Sequence, residues 1–285
     1  MNLLNIIEEI EKVDPEVHER ISPRRDAIKN ITSFGSKVAV AALPFAFATI
    51  FKKAYGASTP VAVNTVLNFA LQLEYLESYF YNQGVAAPGL IPAGNDISTF
   101  TLIQGDEASH VAFLQSVLGS AAIPMPGIDL TAKGTFPDVL TNYNTFMAVA
   151  NAFEDTGVRA YKGQAVNLQG NQVVLTAALS IHAVEARHAA AVRQIRASHG
   201  VIISPWITGS ANLSNDTGVA AVNGNYGAGA SATYPAENNV MQGGIDITTL
   251  ASASGSTTAY NIACEAFDEP LDMATVLTLV GPFFT

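Results

Sequence analysis

Two short segments of the chain place a glutamate and a histidine three residues apart. The pairs are Glu107 with His110 in GDEASHVAF and Glu185 with His188 in SIHAVEARHAAAVRQ. On an α-helix this spacing puts both side chains on one face, so a carboxylate oxygen and an imidazole nitrogen can bind the same metal ion. One such pair arises often by chance, whereas two pairs in separate helical segments indicate one composite site.

Two further glutamates are each followed seven residues later by a tyrosine. Glu74 precedes Tyr81, and Glu154 precedes Tyr161. Seven residues make two helical turns, so each tyrosine shares a face with its glutamate. The order along the chain is therefore glutamate, Glu-x-x-His, glutamate, Glu-x-x-His, which is a twofold internal repeat of a site.

Four converging carboxylates need positive charge between them. Each buried carboxylate costs several kcal/mol unless it is paired or bound to metal. Two divalent cations remove this cost, because four carboxylates and two neutral imidazoles give each metal one histidine, one terminal carboxylate and shared bridging carboxylates. Oxygen and imidazole ligands without sulfur suit iron or manganese and leave positions for oxygen or peroxide. Zinc is also chemically compatible but adds no redox function.

Neighbouring residues leave alternatives open. Glu77 shares a face with Glu74 and is an alternative first-helix ligand, although it lacks the two-turn relation to a tyrosine. His182 precedes Glu185 by three residues and is either a hydrogen-bond donor behind the ligands or a helix-packing residue. The tyrosines at 81 and 161 have core packing as their alternative role.

Several charged residues near the site are expected to face water. Asp106 and Asp155 are next to ligands in sequence and therefore point elsewhere on their helices. The arginines of the last segment form its predicted wet face; they are Arg187, Arg193 and Arg196.

Four long helices must carry these residues. Apolar periodicity, divided by glycine, proline and asparagine, predicts helices over 59–83, from Asp96 or Ser98 to 118, over 137–168 and over 172–198. Gly157 and Gly163 are weak points in the third. The wide apolar faces favour packing into an all-α four-helix bundle spanning 58–200.

The ligand pattern resembles the ferritin-like di-iron and di-manganese carboxylate proteins. The stretches LNFALQLEYLESYFY and FDEPL…VLTLVGPFF are similar to the ferritin-like group that includes plant desiccation-related proteins. The resemblance covers about 60–199 and, more loosely, the tail. It implies a ferritin-like bundle.

The resemblance also implies roles for individual residues. Glu74 and Glu154 would be terminal or bridging ligands, Glu107 and Glu185 would bridge, and His110 and His188 would each cap one of two iron or manganese ions. The hydroxyls of Tyr81 and Tyr161 would orient the glutamates. The implied function is redox chemistry with oxygen or peroxide, such as ferrous-ion oxidation or peroxide removal; the alternative is a non-catalytic metal-binding protein for stress protection or assembly.

Composition and the absence of certain motifs exclude several classes of function. With a net charge of -10 and a pI near 4.8, the chain lacks the basic face that nucleic-acid binding requires. Its single cysteine, Cys264, allows neither an internal disulfide nor a thiolate metal cluster, and it leaves the cellular compartment open. No phosphate-binding glycine loop, HExxH helix or nucleophile elbow is present in the sequence.

Two flanking regions differ in composition from the bundle. Residues 1–57 contain Arg24 and Arg25 before an apolar run, which resembles a twin-arginine export signal. Cleavage near residues 56–57 would give an exported or periplasmic protein, whereas retention as a helical arm would give a cytoplasmic one. Residues 201–285 form a Gly/Ser/Asn-rich extension that we expect to pack on the bundle as loops. Either flank is a candidate contact for a homo-oligomer.

Overall fold

Helices account for most of the ordered elements in the computed structural model, which describes residues 61–209, 217, 219–250 and 259–285. These residues fall within one compact unit, Ala54–Thr285. The predicted arm or leader over 1–57, with its arginine pair, lies outside the described residues. None of the described helices combines the length and apolarity that a membrane span requires.

Four long helices form the bundle, as the periodicity predicts. They are α1, Val63–Ala86; α2, Asn95–Leu118; α3, Tyr143–Ala165; and α4, Gln172–Ser198. Short connections make α1 antiparallel to α2, and α3 antiparallel to α4. Contacts of Tyr81 with Glu154 and of Tyr161 with Glu74 show that α1 and α3 are antiparallel as well. The segment 119–142 therefore runs the length of the bundle, as in bundles with one long crossover.

Local chemistry explains where the helices begin. The side chain of Asn142 caps α3 by accepting hydrogen bonds from the backbone N–H groups of Asn144 and Thr145, so this helix begins later than predicted. For α2 the cap is Gly94, at φ +105°, and not Asp96 or Ser98. Asp96 instead accepts a hydrogen bond from the Tyr143 hydroxyl at 3.0 Å and so joins α2 to α3.

Helix α1 ends later than the residue 83 that the sequence predicts. The helix continues through Gly84 to Ala86. A Cβ at Gly84 would lie 2.2 Å from Cε2 of Phe146, so this glycine allows a close approach to α3 and does not end the helix.

The core has two parts, one at each end of the bundle. Aromatic rings dominate one end, where Phe80, Phe100 and Phe146 pack with buried residues of the C-terminal extension. Aliphatic side chains dominate the other end; among them are Leu67, Leu71, Leu114, Leu118, Leu168 and Leu175. The central turns of all four helices lie between these two apolar regions.

The extension over 201–285 is loop-rich in its described part. Its elements include a 3-10 helix at Ala220–Tyr226, a small hairpin of β1 (Met241–Gln242) and β2 (Ile245–Asp246), and two short helices, α5 (Ala259–Glu265) and α6 (Met273–Val280). Helix α6 is capped by the side chain of Asp272, which accepts a hydrogen bond from the backbone N–H of Thr275. Phe284 forms an isolated β-bridge with Ile128, which joins this region to the crossover segment.

Three of the predicted wet-face residues are in fact buried. Arg193 and Arg196 are 1% and 3% exposed, and Asp155 is 5% exposed. An Arg193 guanidinium nitrogen lies 2.6 Å from Asp155, and Arg196 donates to Asn151 at 2.8 Å. The prediction was wrong because the extension covers this face of α3 and α4, which helical periodicity alone does not reveal. Arg187 and Asp106 are exposed, as expected.

Candidate metal centre

Six side chains meet between the two apolar ends of the bundle. Each helix supplies one glutamate, and α2 and α4 each add a histidine one turn later. The ligand atoms form two overlapping groups, within each of which all atoms lie within 4.8 Å of one another; the groups are Glu74, Glu107, His110, Glu185 and Glu107, Glu154, Glu185, His188. Because Glu107 and Glu185 belong to both groups, they are placed where bridging ligands of a two-metal site would lie.

The contacts around the two histidines follow the internal repeat. His110 Nδ1 lies 3.2 Å from Glu74 and 3.1 Å from Glu107. His188 Nδ1 lies 2.8 Å from Glu107 and 3.3 Å from Glu154. His110 Nδ1 also lies 3.4 Å from Glu185, so it faces both shared glutamates as well as Glu74, whereas His188 Nδ1 faces one shared glutamate and Glu154.

Several of these ligand atoms lack an ordinary hydrogen-bond partner. The four glutamates of the two groups are 0% exposed. The buried polar atoms without a hydrogen bond in the described part of the chain include Glu107 Oε1, Glu154 Oε2, both Glu185 carboxylate oxygens and His188 Nδ1. The short approach of His188 Nδ1 to Glu107 Oε1 also lacks hydrogen-bond geometry. Buried polar atoms are normally satisfied, and a divalent cation would satisfy these, so the residues fit a metal site.

The tyrosines contact carboxylates on the opposite helix. Tyr81 of α1 donates to Glu154 of α3, and Tyr161 of α3 donates to Glu74 of α1. Two turns separate each tyrosine from the glutamate of its own helix by roughly 11 Å, which is too far for a hydrogen bond. Antiparallel packing brings the other repeat's glutamate to the hydroxyl instead.

Charge and burial act in opposite directions on the titrating groups. Burial raises the pKa of Glu74 to about 8. Burial alone would lower the pKa of His110, but the carboxylates of Glu107 and Glu74 outweigh it and raise the pKa to about 10. The same balance, with Glu154 and Glu107 as partners, raises the pKa of His188 to about 11. The imidazoles therefore serve as positive partners of the carboxylates whenever no metal ion does.

Glu185 and Glu107 respond to this environment in different ways. Burial, followed by repulsion from Glu107, raises the pKa of Glu185 well above its usual range. Burial also opposes the ionised form of Glu107, but its close contacts with the imidazoles of His110 and His188 prevail and lower its pKa to about 2. Of the two shared carboxylates, only Glu107 therefore has cationic partners strong enough to keep it ionised.

Two residues left open by the sequence lie apart from the ligand groups. The His182 ring is 3.0 Å from the backbone oxygen of Val158, so it joins α4 to α3 in the manner of a packing histidine. Glu77 is buried but belongs to neither group. Burial, followed by repulsion from Glu107, raises its pKa well above the usual range.

Two residues that help to form the site were not identified as part of it from the sequence. Asp106 reaches across to α4, where its carboxylate lies 3.1 Å from His188 Nε2. Gly157 leaves room for the carboxylate of Glu185, because a Cβ there would lie 2.9 Å from Glu185 Oε2. The position of Gly157 three residues after Glu154 was the available signal, since it puts the glycine on the ligand-bearing face.

Comparison with known proteins agrees with this geometry. Residues 63–198 match the family model described as the ferritin-like domain. No curated protein matches the chain. The matched segment begins at the first residue of α1 and ends at the last residue of α4. Together with the helical bundle and its buried acidic and histidine groups, the match supports a place in the ferritin-like superfamily, compatible with a di-metal site.

Proposed function

We propose that the protein binds two iron or manganese ions and carries out redox chemistry with oxygen or peroxide. The observation that carries this proposal is the pair of overlapping ligand groups, in which several buried carboxylate oxygens lack hydrogen-bond partners. A satisfied structural network would pair these atoms with donors. Ligands restricted to oxygen and imidazole nitrogen favour iron or manganese.

Each residue has a task in this proposal. Glu107 and Glu185 would be shared by both ions, Glu74 and Glu154 would each hold one, and the histidines would complete the two sets. Tyr81 and Tyr161 fix the orientation of the outer carboxylates through their hydroxyl hydrogen bonds. The apolar ends of the bundle limit the access of water. Bound iron or manganese would supply the exchange of electrons with the oxidant.

Elemental analysis of protein purified without added metal tests the site. We expect about two iron or manganese ions per chain, the number that the two ligand groups can hold. The Glu107→Gln/Glu185→Gln double variant keeps the side-chain shapes but removes both shared carboxylates, so we expect it to lose the metal. Glu77→Gln is the matched control, because Glu77 is also buried but lies outside both groups.

Peroxide consumption and ferrous-ion oxidation, measured on the same samples, test the chemistry. Turnover that is lost in the double variant and retained in Glu77→Gln would support the redox function. Two ions without turnover would contradict that part and favour a non-catalytic, stress-protective metal protein. Failure to bind metal after reconstitution would contradict the dinuclear site itself.

A further inference from the structure

The two ends of the bundle are filled differently, although the ligand pattern repeats. At the Tyr81 end, Phe80 stacks on Phe146 with ring centroids 4.6 Å apart, and Phe100 packs edge-on against Phe146 at 5.2 Å. At the Tyr161 end, a cavity of about 100 Å³ opens among the aliphatic residues, and all four helices line it. A second cavity, of about 90 Å³, lies at the other end, but of the four long helices it is lined by α3 alone, whereas all four enclose the cavity at the Tyr161 end.

This cavity lies next to the metal centre on the inner faces of the helices. Its lining includes Ala70, Leu114 and Ile181. Ala70 and Ile181 come one turn before the glutamates of α1 and α4, and Leu114 comes one turn after the histidine of α2. Tyr161, also in the lining, donates its hydroxyl to Glu74. A molecule in the cavity would therefore contact the residues that support the ligands.

The walls indicate what kind of molecule fits. No charged side chain lines this cavity within the described part of the chain, and its polar members are Tyr161 and Gln164. Apolar residues continue to the surface at its rim, where Phe113, Val117 and Val173 are 40%, 44% and 81% exposed. A charged headgroup would thus lose its hydration without gaining an ionic partner, whereas a hydrocarbon chain would be covered along its length.

We propose that the cavity binds a neutral straight-chain aliphatic molecule, with its chain enclosed between the helices. The volume excludes a protein segment but is of the same order as the roughly 150 Å³ apolar cavity that takes up benzene. The inference goes beyond the metal chemistry and does not depend on it.

Calorimetric titration of the full chain with hexan-1-ol, octan-1-ol, decan-1-ol and dodecan-1-ol tests the site. Affinity should rise roughly fourfold with each added methylene while the chain is being buried, and it should level off once the chain outgrows the cavity. Octanoate, which carries a charge at the same length, should bind at least about tenfold more weakly than octan-1-ol. Absence of alcohol binding, or equal binding of octanoate, would overturn the proposal.

Cavity-filling variants locate the binding. Ala178→Phe and Ala177→Phe, both in the lining, should reduce octan-1-ol affinity at least about tenfold. Ala177 is half-buried, so its replacement should disturb the packing less than that of the buried Ala178. Ala112→Phe, on the exposed face of α2, is the matched control and should bind as the parent does. Circular dichroism and metal content, measured on each variant, separate a filled cavity from a misfolded bundle or a lost metal site. Unchanged affinity in both folded lining variants would overturn the assignment to this cavity.

Discussion

The two imidazoles of the proposed metal centre differ in the group that contacts the outer ring nitrogen. His188 has the carboxylate of Asp106 at its outer nitrogen, 3.1 Å away. In the internal repeat the position equivalent to Asp106 is Val184, which cannot accept a hydrogen bond. Carboxylates behind metal-bound histidines fix the ring and raise its basicity. The two metal positions should therefore differ in affinity.

Replacing Asp106 tests this asymmetry. We expect Asp106→Ala to lower the affinity for one of the two ions about 10- to 100-fold and to leave the affinity for the other nearly unchanged. Competition titration with a chromophoric chelator resolves the two steps. The reciprocal variant, Val184→Asp, should strengthen the second step. Equal weakening of both ions by Asp106→Ala would contradict a role confined to His188.

Protonation of the same side chains predicts how metal binding depends on pH. With pKa values of about 10 and 11, His110 and His188 carry protons at neutral pH, and Glu74, at about 8, carries one as well. Metal ligands must lose these protons, so affinity should fall as the pH falls, by about tenfold per unit for each proton displaced. Calorimetry at pH 7 in buffers of different ionisation enthalpy should detect at least one proton released per ion. Heats that do not depend on the buffer would contradict this.

How much of the site could be predicted differs from residue to residue. The spacings of Glu107 with His110 and of Glu185 with His188 place a carboxylate and an imidazole on one helix face, so sequence alone groups them as candidate ligands. The contact of Asp106 with His188 depends on how two helices pack. The burial of Arg193 depends on a segment that lies outside the bundle. The apolar periodicity of a single helix contains no information about either the contact of Asp106 or the burial of Arg193.

Among the helices, α3 depends on two glycines whose purpose lies in packing. A Cβ at Gly163 would lie 1.9 Å from the backbone oxygen of Leu271, so this glycine lets the extension approach α3. Gly157 does the same for the carboxylate of Glu185. The sequence marks both as weak points of a helix, whereas the structure shows both inside an unbroken one.

Gly157→Ala should therefore separate metal binding from stability. Alanine favours the helix by up to about 1 kcal/mol, while its Cβ displaces Glu185, so we expect metal affinity to fall about tenfold or more without unfolding. Gly105→Ala on α2 is the control, since a Cβ there meets nothing within 4 Å. Thermal unfolding and metal titration of both variants check this. Unchanged metal affinity in Gly157→Ala would contradict the spatial argument.

Across the whole molecule, one buried arginine joins α3 to several separate parts of the extension. Arg159 is 1% exposed and forms an ion pair with Glu237 at 2.8 Å. It also donates to the backbone oxygens of Gly227 at 2.9 Å, Pro235 at 2.9 Å and Glu269 at 3.0 Å. The extension thus supplies the partners of a charge that the bundle alone would leave unpaired.

Replacing Arg159 should destabilise the protein severely. Arg159→Met keeps much of the volume but leaves Glu237 and several carbonyls without their donor, so we expect a loss of about 3–5 kcal/mol in the free energy of unfolding. Arg187→Met, on the exposed face of α4, should change it by less than about 0.5 kcal/mol. Urea denaturation measures both. Similar losses in the two variants would contradict the bridging role of Arg159.

This long-range contact also limits what could be inferred about residues 201–285. Their composition indicated loops against the bundle, and the described part is loop-rich. The contacts that place them, such as Arg159 with Glu269, join residues 110 positions apart. No local pattern encodes a partner at that distance, so the covered face of the bundle could not be predicted.

The same arginine affects how the protein is made. Arg159 is translated well before its acceptors, the last of which, Pro270, follows 111 residues later. At about 5 to 20 residues per second, the ribosome needs roughly 5 to 20 seconds to supply them. During that interval the guanidinium of Arg159 stays hydrated on the face of α3 that the extension later covers. The face of the bundle that the extension covers is therefore completed only after residues 225–270 have been synthesised.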